Sequence, residues 1–351
     1  MKNNIFYLII SLAVALSSCG SSSGSTPVPP DPGHGGGTNP NPPKKQTYNN
    51  PVIRFSVPDP TVIKAADGFF YLYGTEDIRN VPVFRSKDLV KWTQTGTAFT
   101  DATRPKNLPA RGMMWAPDIN FINGQYVLYT TIGVWGSDWD NQIRCATADK
   151  PTGPFVDKGI VIDRTQGVAN SIDQFFIQDG GHNYMFWGSF HGIYGIELSA
   201  DGLSIKPGAD KIQIAGTQME GTYIHKHGKY YYLFGSAGTC CEGARSTYKV
   251  IYGRSESLFG PYLTKDGRRM LDGAYDTMLS SSNIFAGPGH NAEFVTDDAG
   301  QDWILYHAYQ KSDPDNGRQV MLDPIQWTDD WPSVQGGKPS YLHEAPVFKN
   351  Q

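Results

Sequence analysis

From about residue 50 onward the chain alternates short aromatic and β-branched runs with Gly, Asn and Asp, and helical periodicity is nearly absent, the pattern of an all-β protein. Five runs follow one turn signal. Asp67-Gly68 precedes Phe69-Phe70-Tyr71-Leu72-Tyr73, Asn123-Gly124 precedes Tyr126-Val127-Leu128-Tyr129, and Gly180-Gly181 precedes Tyr184-Met185-Phe186-Trp187. His227-Gly228 then precedes Tyr230-Tyr231-Tyr232-Leu233-Phe234, and Ala299-Gly300 precedes Trp303-Ile304-Leu305-Tyr306. The turn glycines stand 47 to 72 residues apart, the spacing of four-stranded propeller blades with variable loops. Phrases expected on outer strands recur as well: Ser86-Lys87-Asp88-Leu89, Ala148-Asp149-Lys150-Pro151 and Ser255-Glu256-Ser257-Leu258. The pattern predicts a five-bladed β-propeller over 49–351. A β-sandwich is the alternative, and it leaves the repeated turn-then-aromatic unit unexplained.

If each turn joins a blade's first and second strands, the residues just upstream lie on the innermost strand and line the central channel. Those residues are Asp59, Asp118, Asp173, Glu220 and His290, about nine, six, eight, eight and ten positions before their turn glycines. Strands of similar length carry them to a similar height, so one acidic or imidazole group per blade should converge at one end of the channel.

The first 48 residues follow a different pattern. A lysine near the start, the apolar run Ile5 to Ile10 and a small-residue stretch make residues 1–18 a secretory signal, too short to span a bilayer. Leu16-Ser17-Ser18-Cys19 resembles a bacterial lipobox, in which the cysteine becomes the lipidated first residue of the mature protein; an incidental cysteine is the alternative. Residues 19–48, dominated by Ser, Gly, Pro, Asn and Thr, read as a disordered tether. A lipid on Cys19 implies attachment to a membrane and a place in the cell envelope, at the outer membrane or cell surface. The net charge of −4 gives no electrostatic case for nucleic acid. Among the remaining cysteines, Cys145 and the adjacent Cys240 and Cys241, an odd number cannot all pair; the neighbours are either free thiols or a vicinal disulfide, and no zinc-ligand spacing accompanies them. A monomer is expected.

Two carboxyl groups with unequal pKa values suit glycosidic hydrolysis: one protonates the leaving oxygen while the other activates water. Glu220, with the longer side chain, reads as the general acid, and Asp59, between Pro58 and Pro60, as the base. Asp173 reads as a third carboxylate that keeps Glu220 protonated and orients the sugar or the base. Strand-end or turn-capping carboxylates are the alternative for each, most of all for Asp118.

These stretches resemble glycoside hydrolase family 43, and the resemblance extends from about residue 50 to the C-terminus. It implies a five-bladed propeller and an inverting enzyme, with Asp59 as base, Asp173 as pKa modulator and Glu220 as acid. Trp115-Ala116-Pro117-Asp118 resembles a substrate-facing segment, and Gly287-Pro288-Gly289-His290-Asn291 a segment that sets a histidine in the channel centre. Finer similarity, through Gly238-Thr239-Cys240-Cys241-Glu242-Gly243 and Ser246-Thr247-Tyr248, points to endo-1,5-α-L-arabinanases, whose substrate is arabinan or arabino-oligosaccharide. Two departures stand beside catalytic positions: Pro58 where a histidine is usual, and Gln174 where a proline is usual.

The resemblance implies substrate contacts from Trp115, Asp118, Asn170 and Arg318. Trp135 and Trp139 are further aromatic candidates, with loop packing as their alternative; for Arg318 the alternative is a surface salt bridge. It also implies one Ca2+ at the channel centre on His290 and waters, an unusual shell for an ion that prefers oxygen, with a hydrogen-bonded channel histidine without metal as the alternative; no organic cofactor is expected. Exo-acting α-L-arabinofuranosidase or β-xylosidase activity and a non-catalytic glycan-binding propeller are the rival readings.

Overall fold

Each of the five turn glycines closes a hairpin between a first and a second strand. The computed structural model describes residues 46–349, so the signal segment, Cys19 and most of the tether lie outside the described residues. Blade one pairs Thr61–Lys64, Phe70–Tyr73, Pro82–Ser86 and Thr93–Thr97 in sequence order. Blade two pairs Met113–Ile122, Gln125–Gly133, Gln142–Ala148 and Val156–Ile162. Blade three pairs Phe175–Asp179, His182–Trp187, Ile193–Leu198 and Ile212–Ala215. Blade four pairs Glu220–His227, Tyr230–Ala237, Lys249–Ser255 and Asp276–Leu279. In blade five the inner strand is split: Phe285–Gly289 and Val295–Thr296 lie along one edge of Asp302–Gln310, and Gln319–Pro324 takes the other edge.

The N-terminal segment closes the ring. Ile53 bridges to Val320 and the Val57 N–H donates to the Arg318 carbonyl, so the chain runs along the free edge of blade five before it enters blade one. Thr47–Asn49 pairs with Leu342–Glu344, so the folded unit begins before residue 49, the start expected from composition. The phrases expected on outer strands instead begin at the ends of the third strands, at Ser86, Ala148 and Ser255, and turn into the fourth.

Blades pack face to face, which buries their second strands on both sides and explains why these read as continuous apolar runs rather than alternating ones. All four residues of Phe70–Tyr73 are buried, and so are seven of the eight in Tyr230–Ala237. The buried clusters fall between blades: Tyr73, Val83, Ile119 and Phe155 join blades one and two, and Tyr129, Ile143, Met185 and Trp187 join two and three. Leu305, Val320, Leu72 and Phe84 join blade five to blade one. At roughly 25 cal/mol per Å2 of apolar surface removed from water, these inter-blade layers hold the inner strands in register around the channel.

Candidate active site

One end of the channel is organised by a repeated link between neighbouring blades. Near the end of each second strand stands a hydroxyl or imidazole, and it reaches the inner strand of the next blade. Thr75 accepts from the Ala116 N–H at 2.9 Å, Thr131 from the Asp173 N–H at 3.2 Å, Ser236 from the His290 N–H at 2.8 Å, and His307 Nδ1 from the Asp59 N–H at 3.1 Å. Each accepted N–H belongs to a residue with positive φ: Asp59 at 53°, Ala116 at 40°, Asp173 at 58° and His290 at 43°. Left-handed backbone is strained for side-chain-bearing residues, so these links hold four inner-strand residues in place against a cost of about 1–3 kcal/mol each. In the remaining blade pair the hydroxyl of Ser189 bypasses the backbone and donates to Glu220 Oε2 at 2.6 Å.

Asp59, Asp173 and Glu220 line one cavity of about 360 Å3 together with Trp115, Tyr248, His290 and Arg318. Asp59 accepts from Arg318 at 2.9 Å and from the Thr75 hydroxyl at 2.6 Å. Burial pushes its carboxyl upward, but the Arg318 guanidinium outweighs burial and holds it well below the usual carboxylate range. Asp59 is therefore the ionised group of the set. Asp173 is pushed the other way, first by burial and then by the charges of Glu220 and Asp59, although the Gly221 N–H donates to it at 3.0 Å. Burial also raises Glu220, against the opposing pull of hydroxyl hydrogen bonds from Ser189 and from Tyr248 at 2.8 Å. Burial and the neighbouring carboxylates therefore let Asp173 and Glu220 hold their protons to higher pH than an exposed carboxyl would.

Arg318 thus sits in the cavity, not on the outer surface. His290 is mostly buried, with Nδ1 3.4 Å from Asp59 and 4.0 Å from Asp173; burial lowers its pKa, so it faces them as neutral imidazole. Trp115 lines the same cavity and meets Trp135 edge-on at 6.1 Å. Its indole lies directly over Gly133, where an added Cβ would be 1.8 Å from the ring, so no larger residue fits there without moving the tryptophan. Trp139 lines neither this cavity nor its neighbour.

Asp118 is where the sequence expectation fails. It does not line the substrate cavity: it is 3 % exposed, accepts from the Phe176 N–H at 2.7 Å and lies against Glu293, with burial and that second carboxyl pushing it up. It precedes its turn glycine by only six residues, and a register shift between Trp115 and Asp118 leaves Ala116 at the height of Asp59 and Asp173. Asn170 lines an adjoining cavity of about 640 Å3 and donates to Ser189 at 3.0 Å, which places it one hydrogen bond behind Glu220. Gln174 bridges the Thr131 hydroxyl and the Ala116 carbonyl, tying blade three to blade two.

Cys240 and Cys241 form a vicinal disulfide, and Cys145 is free and buried. The disulfide lines both cavities, which also share Trp115, Trp135, Ile172 and Glu220 and so form one cleft that continues past Glu220. Ser189, Thr75 and His307 were not singled out from sequence, and Tyr248 was named only within the arabinanase-like segment. A signal for three of them exists: Thr75, Thr131, Ser189, Ser236 and His307 each follow their turn glycine by seven or eight residues.

A propeller that gathers one ionised and two proton-retaining carboxyls under an aromatic platform defines a carboxylate-dependent glycoside hydrolase. Comparison with known proteins agrees. The signature of glycosyl hydrolases family 43 matches residues 48–332. An extracellular endo-α-(1→5)-L-arabinanase of Bacillus subtilis is 32% identical over 288 residues, covering 78% of this chain and 86% of the relative. An extracellular exo-α-(1→5)-L-arabinofuranosidase of Cellvibrio japonicus is 31% identical over 307 residues, covering 79% and 86%. The structure of a Cellvibrio cellulosa α-L-arabinanase complexed with arabinohexaose superposes with a TM-score of 0.73 at 30% identity, over 80% of this chain and 96% of that one. The chain belongs to glycosyl hydrolase family 43.

Proposed function

We propose that this chain hydrolyses α-1,5-linked arabinan at internal bonds with inversion of the anomeric centre. The reading is carried by the opposed protonation of Asp59 and the Asp173–Glu220 pair around one cavity. Asp59, ionised beside Arg318, takes a proton from the attacking water. Glu220 delivers its proton to the leaving oxygen, with Ser189 and Tyr248 fixing the carboxyl. Burial and the charge of Asp59 keep that proton on Glu220, while Asp173, itself driven toward the neutral acid, accepts from the Gly221 N–H beside it. Inversion requires room for water between base and acid, about 6.5–9.5 Å between their carboxyls. Continuation of the cleft past Glu220 to Asn170 and the disulfide supports binding of several sugar units rather than a chain end alone.

The exo-acting Cellvibrio relative favours a second reading, release of single arabinose units. Product analysis on linear arabinan separates the two: a ladder of oligosaccharides marks endo action, arabinose alone marks exo action, and binding without release marks a glycan-binding protein. Glu220→Gln should abolish turnover and preserve affinity; near-normal turnover by that variant would overturn the assignment.

A divalent cation at the channel centre, calcium in the resemblance to arabinanases, is compatible with the residues present. His290 turns Nδ1 toward Asp59 and Asp173, and among the described residues the oxygens Thr222 Oγ1 and Asn291 Oδ1 are buried without a partner. His290 would hold the ion and waters would complete its shell, adding positive charge near Asp59 and Asp173. Lipidation at Cys19 would keep the enzyme in the cell envelope through the tether. Metabolic labelling with a fatty acid tests it, with Cys19→Ala as control.

A further inference from the structure

The strand that begins with Glu220 ends in His225-Lys226-His227, at the far end of the channel. Residues two apart on a strand project from the same face, and these histidines stand five and seven positions beyond Glu220, at the other end of its strand. Asp302 opens the second strand of blade five opposite them. One nitrogen from each imidazole and one Asp302 oxygen lie within 4.8 Å of one another. The catalytic arrangement uses none of the three.

We propose that His225, His227 and Asp302 form a binding site for one divalent transition-metal ion of the zinc class. Two imidazoles and a carboxylate are the donor set that borderline cations select over calcium or magnesium, with a fourth position left to water. Each fixed ligand is also held from behind, as metal ligands are. The Tyr223 hydroxyl lies 3.0 Å from His225 Nδ1. That oxygen accepts from the Phe294 N–H at 2.9 Å, and its second lone pair can take the Nδ1 proton, the tautomer that frees Nε2 for a metal. Asp302 accepts from Thr296 Oγ1 at 2.5 Å and from Trp327 Nε1 at 2.8 Å, one bond on each oxygen, which aims the carboxylate and leaves a lone pair on each.

His227 is the adjustable member. Among the described residues it makes no side-chain hydrogen bond, and its ring lies flat on Trp327 with centroids 3.8 Å apart and planes 7° from parallel. Donors bound at about 2.0–2.1 Å in a tetrahedron stand roughly 3.3 Å apart, so closure requires the ring to slide along the indole by about 1–2 Å. The aromatic walls Phe294 and Trp327 restrict water around the site. A bound ion would join the inner strand of blade four to the second strand of blade five and the hairpin that carries Trp327.

The test uses tag-free protein stripped with chelator and titrated with Zn2+ and with Co2+, followed by calorimetry and by the visible absorption of four-coordinate cobalt. Expected are one equivalent of tight binding, an upward shift in melting temperature, and at least tenfold weaker binding in His227→Ala and Asp302→Asn. His227 is half-exposed beside a turn, so its alanine variant keeps the fold, and unchanged glycosidase activity without added metal verifies that. His290→Ala should bind as the unmodified chain does. Absence of stoichiometric binding would overturn the proposal; so would binding that survives His227→Ala, or binding that is lost in His290→Ala instead.

Discussion

Replacing Arg318 with methionine keeps the length and apolar stem and removes the charge that sets Asp59 as the base. The guanidinium donates to the carboxylate at 2.9 Å, and the two side chains are only 16% and 11% exposed. Unit charges about 4 Å apart interact by about 4 kcal/mol at an effective dielectric of 20, an upper bound on what the substitution removes. The Thr75 hydroxyl remains, so the Asp59 pKa should rise toward the ordinary carboxylate range by less than that bound. Asp59 must be ionised to act, so the acid limb of kcat/KM should move to higher pH by the same amount while activity near neutrality falls less. Arg318→Lys, which keeps a positive charge, should restore most of the limb. The assay is initial release of reducing ends from linear arabinan between acidic and mildly alkaline pH. A uniform loss across the profile, with the acid limb unmoved, would refute the reasoning and assign Arg318 to sugar binding instead.

Three further outcomes follow from other contacts. Tyr248→Phe removes a hydroxyl that favours ionised Glu220, so kcat should fall about 10–100-fold while the alkaline limb of the pH profile moves upward. Gly133→Ala should cost about 1–3 kcal/mol in thermal stability and raise KM more than it lowers kcat, because the new methyl displaces the Trp115 indole. Asp323 is buried against Tyr306, and burial raises its pKa to about 6. Below its unfolded value of 3.8 the acid is protonated in both states; between there and about 6 only the native state keeps the proton, so the native state loses stability as pH rises through that window. Asp323→Asn should flatten that decline, up to about 3 kcal/mol, in denaturant melts compared across the window.

The turn glycines and aromatic runs determined the blade count, because a strand buried on both faces must be apolar throughout and a tight hairpin needs a residue that accepts positive φ. The same phase placed Asp59, Asp173 and Glu220 on inner strands. It misjudged Asp118, because a residue count measures height only while the strand is regular, and a register shift at Ala116 and Pro117 resets it.

What only the tertiary structure decided is which neighbour each of these groups has. Asp59 and Asp173 are the same residue type at the same height, yet one is held ionised and the other is driven toward the neutral acid. The difference comes from Arg318, 259 positions from Asp59 along the chain, and from Glu220 of the adjoining blade. Ring closure brings blade five beside blade one and delivers that arginine. A pKa depends on charges within a few ångströms and on burial by every surrounding element, and these are properties of the closed ring rather than of any one strand.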